Sequence, residues 1–185
     1  MRTFNNLKTV QFQEKLKESA IKIYKKIFNN CEVQDLRENG VNVHILDKEF
    51  GIDKLLSFKT GQWISIQEKY RKYDFLVNSN YQIKPPWPDF TQEYKNAVGT
   101  INENNGEWFK LGAQLYFYGW ANKEENNFKR WIIIDIAKYK LIVEEYGGLD
   151  KIGTMKYNHV HGKASFYCFP IDLIKDAWLF NGSEI

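Results

Sequence analysis

The chain has 185 residues, a formal net charge of +3, 43% hydrophobic residues and 16% aromatic residues. That composition predicts one packed globular domain and excludes a disordered chain, and so small a charge confines any nucleic-acid surface to a local patch. No apolar run approaches the roughly 18 residues of a membrane span, polar Met1–Asn6 shows no signal-peptide core, and Cys31 and Cys168, far apart and outside any CxxC pattern, read as reduced thiols of a cytoplasmic protein.

Apolar residues from Thr9 to Asn30 recur at helical spacing (Leu16, Ala20, Ile23, Tyr24, Ile27), with lysines opposite, and predict an amphipathic helix ended by Asn29-Asn30. Glu38-Asn39-Gly40 signals a turn, Val41 to Leu46 alternates as a strand would, and Asp47-Lys48-Glu49 reads as the next turn. Ile52 to Phe58 and Trp63 to Tyr70 are expected as two further strands joined by a Lys59–Gln62 hairpin loop. Pro85-Pro86-Trp87-Pro88 cannot continue a sheet, and Asn102 to Glu107 reads as a loop. Trp108 to Ala121 has Leu111, Leu115 and Tyr118 spaced as on a buried helix, and Asn122 to Asn127 is polar loop. Arg130 to Ile136 is β-branched and reads as a central strand. Ala137 to Glu145 reads as a helix stopped by Gly147-Gly148, followed by a strand at Ser165–Phe169 and a terminal helix at Asp172–Leu179. The sum is an α/β fold, a mixed central β-sheet flanked by helices.

The segment from Phe50 to Arg71 carries the chemistry. Asp53 opens one strand, and Gln67, Glu68 and Lys69 close the next. A tight turn between antiparallel strands brings Asp53 near Gln67 and Lys69, which share a face because strand side chains alternate. Oxygen ligands beside an ammonium group suit metal-assisted phosphodiester hydrolysis, in which a metal acidifies water and a cation stabilises the developing charge. Mg²⁺ or Mn²⁺ is the expected cofactor, since Mg²⁺ needs only a few oxygen ligands and keeps its waters. Asp53 and Gln67 are the expected ligands, with Glu18 or Glu14 of the first helix supplying a further carboxylate. The same residues taken alone also fit a solvated strand end.

Gly51-Ile52-Asp53 followed by Gln67-Glu68-Lys69 resembles the aspartate and E-x-K motifs of the PD-(D/E)XK, or restriction-endonuclease-like, nuclease superfamily. Gln67 in place of the acidic residue is similar to the Q-x-K variant of some transposon endonuclease subunits, in which a helical glutamate completes the site. The resemblance implies Asp53, Gln67, Lys69 and Glu18 as catalytic residues, with Asp53, Gln67 and Glu18 as metal ligands. It also implies a single domain over 1–185, with a nuclease-like core over about 10–140 and a C-terminal extension over 141–185. Glu68 departs from the apolar middle position of the motif, which leaves open a strand end facing solvent or Glu68 as a ligand itself. Glu93 reads as a solvated loop acid or an extra carboxylate near the metal.

No acidic residue occurs from Lys151 to Ile171, where Lys156, His161 and Lys163 are interleaved with Tyr157, Phe166 and Tyr167. With Arg71 and Lys72 these are the expected contacts to nucleic acid. His159 and His161 alternate as strand neighbours would but lack a Cys or acidic partner close in sequence for a transition metal. The expected function is a metal-dependent endonuclease acting on DNA, from a phage, mobile element or restriction system and acting as a homodimer. The alternatives are a catalytically inactive nuclease-like module that binds nucleic acid or protein, and an interaction protein presenting Trp87. No G-x-S-x-G, P-loop, dinucleotide fingerprint or H-E-x-x-H occurs.

Overall fold

Helix α1 (Lys8–Ile27) lays one stripe on a sheet: Phe12, Leu16, Ala20 and Tyr24, each four residues apart, are 5% exposed or less. The computed structural model describes residues 8–29, 31–36, 44–72, 89–158 and 163–183. After α1 come β1 (Glu32–Asp35), α2 (His44–Phe50), β2 (Lys54–Ser57) and β3 (Trp63–Arg71). The three strands form an antiparallel meander, registered at Asp35↔Lys54 and Lys54↔Ile66. Gly61 sits at φ +80° in the β2–β3 hairpin, a backbone state that only glycine adopts without strain.

The chain then builds β4 (Asp89–Asn96), β5 (Asn104–Asn105), a single 3-10 turn (Glu107–Lys110) and β6 (Leu115–Ala121), which lies parallel to β3. β7 (Phe128–Asp135) pairs antiparallel with β6 and leads into α3 (Ile136–Glu145), capped by the Asp135 side chain, and α4 (Leu149–Ile152). β8 (Thr154–Tyr157), β9 (Ser165–Pro170), a 3-10 segment (Ile171–Ala177) and β10 (Trp178–Ser183) complete the described chain. The result is a mixed α/β fold with a six-stranded sheet ordered β1-β2-β3-β6-β7-β10 and a four-stranded sheet ordered β5-β4-β9-β8. The C-terminal segment is woven into both: β10 pairs with β7, and β9 with β4.

The six-stranded sheet is covered on both faces. Phe117, Ala121 and Ile133 pack with the α1 stripe. Tyr116, Tyr118, Trp120, Ile132 and Ile134 point the other way, into a core shared with Phe90 of β4, Phe169 of β9 and Tyr139 of α3. Phe90 is the centre of that core, with ring centroids of Tyr116, Tyr118, Tyr139 and Phe169 all within 5.8 Å.

Several expected readings differ. Trp108–Ala121 is not a helix but a 3-10 turn and β6, whose seven residues are all buried. A strand buried on both faces has no alternation to reveal it, and its apolar run mimics a buried helix. Asp47-Lys48-Glu49 lies inside α2 rather than in a turn, so the expected Val41–Leu46 strand does not extend into residues 44–46; residues 41–43 lie outside the described residues. Glu93 sits on β4 opposite Phe166 rather than in a loop. The terminal helix is a 3-10 segment that ends where Trp178 joins Ile134 of β7. The Pro85–Pro88 segment with Trp87, and His159 and His161, lie outside the described residues.

Burial pushes the phenols of Tyr24, Tyr116 and Tyr139 well above their ordinary value of 10.0, reinforced by Glu68 for the first and Glu107 for the other two. A proton bound more tightly in the folded chain stabilises it below pH 10, and this contribution declines as pH rises above 10, where only the unfolded chain ionises. Melting temperature is therefore expected to fall steeply above about pH 10, with the three phenols ionising only as the chain unfolds. A flat melting temperature from pH 9 to 11, measured alongside tyrosinate absorbance, would contradict this.

Candidate functional site

β3 divides its side chains between the two cores. Glu68 and Tyr70 face α1, where Glu68 Oε1 accepts a 2.7 Å bond from Tyr24 and Tyr70 packs its ring against Phe117 and Phe128. Gln67, Lys69 and Arg71 face the opposite core. Asp53 enters β2 one step beyond the Lys54↔Ile66 pair. Its N–H donates to the Ile66 carbonyl at 2.9 Å, and its carboxylate accepts the Glu68 N–H at 2.7 Å. The acid, 6% exposed, is thus tied to the backbone midway between Gln67 and Lys69. The hairpin thus sets the Asp53 carboxylate against the backbone between Gln67 and Lys69.

Gln67 is 8% exposed, and its Oε1 has no hydrogen-bond partner among the described residues. A buried carbonyl oxygen without a donor stands ready for a proton donor or a cation. It lies against Gly51, which ends α2 at φ +57° with its N–H on the Asp47 carbonyl. A Cβ at Gly51 would stand 2.6 Å from Gln67 Oε1 and 2.8 Å from the Lys110 carbonyl oxygen. Gly51→Ala is accordingly expected to destabilise the fold by about 1–3 kcal/mol, from left-handed strain and displacement of that carbonyl. Urea unfolding checks it; a loss under about 0.5 kcal/mol would mean that the turn relaxes freely.

Lys69 donates to Glu107 Oε2 at 2.5 Å. The same carboxylate accepts Tyr116 Oη on Oε1 at 2.7 Å and Gln92 Nε2 on Oε2 at 3.3 Å. Gln92 in turn accepts from Tyr139 at 3.2 Å. Arg71 donates from Nε to Tyr118 Oη at 2.7 Å, and that hydroxyl also meets Thr91 at 3.0 Å. Burial works against the Arg71 charge, but Tyr118, Tyr116 and Glu107 outweigh it and hold the guanidinium above its ordinary pKa. Lys72 is exposed, 3.6 Å from Glu125 and over the Phe12 ring.

The first helix contributes a different residue from the one expected. Glu18 and Glu14 are exposed, because the buried stripe at 12, 16, 20 and 24 turns both away from the sheet. Neither is brought to Asp53, so Glu18 does not complete a metal site here; Tyr24 is the helical side chain that reaches β3. Glu68 is neither at a solvated strand end nor on the Gln67 face. It is 9% exposed and belongs to a buried ionic cluster, in which Lys54 lies 3.3 Å from Glu68 and 2.6 Å from Asp35, with Lys17 at 3.0 Å from Asp35. Among the described residues, two ammonium groups face two carboxylates there, as burial requires.

Lys156 and Lys163 belong to the β8–β9 hairpin at the edge of the second sheet. They bound that hairpin rather than the Lys69 cluster, and Lys163 accepts the Val98 N–H at its carbonyl. Cys31 and Cys168 are both free thiols, as expected. No helix among the described residues is long and apolar enough to cross a membrane.

Glu107 is the site residue that sequence reasoning missed. It stands 38 residues from Lys69 at the end of a polar stretch, and no local pattern separates it from a loop acid. Among the described residues, no three His, Cys, Asp or Glu side chains form a group that could hold a metal. A divalent ion here would rest on the Asp53 carboxylate, the buried Gln67 oxygen and water, a donor set that suits Mg²⁺ or Mn²⁺ rather than zinc. The unpartnered Gln67 oxygen fits such an ion. Comparison with protein-family models, curated proteins and solved structures finds no match to this chain.

Proposed function

We propose that this chain is a Mg²⁺- or Mn²⁺-dependent nuclease that hydrolyses phosphodiester bonds of DNA. The observation that carries this reading is the bond from the Glu68 N–H to the Asp53 carboxylate, which seats an acid inside the Gln67-x-Lys69 segment. The order of elements supports it: a helix, three antiparallel strands, then β6 returning parallel to β3. The placement of Asp53 before the second strand and of Gln67-x-Lys69 on the third is the one such a core would have, although β4, β5 and a 3-10 turn stand where the helix following the third strand was expected. Asp53 and Gln67 would hold the metal, which when bound polarises the phosphoryl oxygen and acidifies the attacking water. Lys69 stabilises charge on the phosphoryl oxygens. Arg71 at the end of β3 and Lys72 just past it draw the anionic backbone toward the strand end. A homodimer would place two such centres on opposite strands of a duplex, as a phage, mobile-element or restriction enzyme needs.

The test is cleavage of supercoiled plasmid and of single-stranded DNA with Mg²⁺, Mn²⁺ or EDTA, with Asp53→Ala alongside. Metal-dependent nicking that is lost in Asp53→Ala is the expected result. A specific observation favours a second reading, a nuclease-like binding module: Lys69 is already engaged by Glu107. Tight gel-shift binding without cleavage under any metal would select it.

A further inference from the structure

A single carboxylate and one neutral amide oxygen make a weakly charged site for a divalent cation. The 3-10 turn Glu107–Lys110 supplies what is missing. Its first residue lays a carboxylate on Lys69, and its last brings a carbonyl oxygen to the same glycine, Gly51, that Gln67 Oε1 touches. The turn therefore spans the β3 face that carries both the unpartnered, nine-tenths buried Gln67 oxygen and the site ammonium. Glu107 is held in place independently of Lys69, by Tyr116 on one oxygen and Gln92 on the other. Its side chain is 12% exposed and that of Lys69 20%, so the pair is reachable from solvent.

We propose that Glu107 is a second anionic ligand of the Asp53–Gln67 centre, and that a divalent cation and the Lys69 ammonium compete for its carboxylate. This rests on the metal-dependent reading above. It gives Glu107 a role that an ordinary ion pair would not have. A cation on the Glu107 oxygen that Lys69 now holds would leave the ammonium free to face an anionic substrate, with Tyr116 and Gln92 still holding the carboxylate in place.

The test is Mn²⁺ binding, read by titration calorimetry and by the paramagnetic resonance of free Mn²⁺, on the full chain without substrate. Glu107→Gln is expected to weaken binding at least about tenfold, and Glu107→Asp less. Lys69→Met is expected to tighten binding several-fold, because the competing ammonium is gone. A purely structural ion pair predicts no such gain. Circular dichroism checks that each variant folds, and should Glu107→Gln fail to fold, Glu107→Asp and Lys69→Met carry the test. Wild-type binding that Asp53→Ala abolishes but Glu107→Gln leaves unchanged would overturn this inference and leave the nuclease reading standing. Unchanged or weaker binding in Lys69→Met would also overturn it. No Mn²⁺ binding by the wild type would remove both.

Discussion

Lys69→Ala is expected to lower metal-dependent plasmid cleavage by about 10²–10³-fold, the usual loss when one preorganised charge-stabilising donor is removed. The ammonium shares the β3 face of Gln67, two residues away, and Asp53 is bonded to the residue between them. Arg71 lies one further step along the strand, engaged with Tyr118. The fold should survive, because Glu107 keeps Tyr116 and Gln92 as donors. The measurement is single-turnover nicking with saturating Mn²⁺, paired with a melting curve. Wild-type cleavage by a folded Lys69→Ala protein would remove Lys69 from the chemistry. Saturating metal matters, since the competition proposed for Glu107 has this substitution raise metal affinity while lowering the rate.

The largest stability effect is expected at Lys54, whose ammonium is fully buried between Asp35 and Glu68. Lys54→Met removes the buried ammonium that the Asp35 and Glu68 carboxylates share. Breaking a buried ion pair by removing one partner costs about 3–5 kcal/mol, or a melting temperature lower by about 10 °C in a domain of this size. Urea unfolding measures it. Pairing Lys54→Met with Glu68→Gln should recover part of the loss, because Tyr24 can still donate to the amide oxygen. A loss under about 1 kcal/mol in the single variant would mean that water reaches the cluster.

Where a pattern is local, the sequence was readable. The α1 stripe, the β2–β3 hairpin, the β-branched β7 and the glycine-stopped α3 all follow from periodicity and turn chemistry over a few residues. The hairpin alone accounts for the meeting of Asp53 with the Gln67–Lys69 segment, since its register spans only 15 residues. Glu18 shows the limit. Helical spacing predicts which residues share a face, and Leu16, Ala20 and Tyr24 outweigh a glutamate on the wrong side. β6 shows another, because burial on both faces erases the period that distinguishes strand from helix.

By itself, then, the sequence determined a mixed α/β domain with an acid, an amide and a lysine gathered at one hairpin, because neighbours in a tight antiparallel pair have little choice of partner. Only the tertiary structure decided that Glu68 turns inward to Lys54 and Tyr24, that Glu107 reaches Lys69 from 38 residues away, and that Gln67 keeps a buried oxygen without a donor among the described residues. Those outcomes depend on which sheet face each side chain is given and on what the other sheet and α1 press against it, and neither is encoded within a single segment.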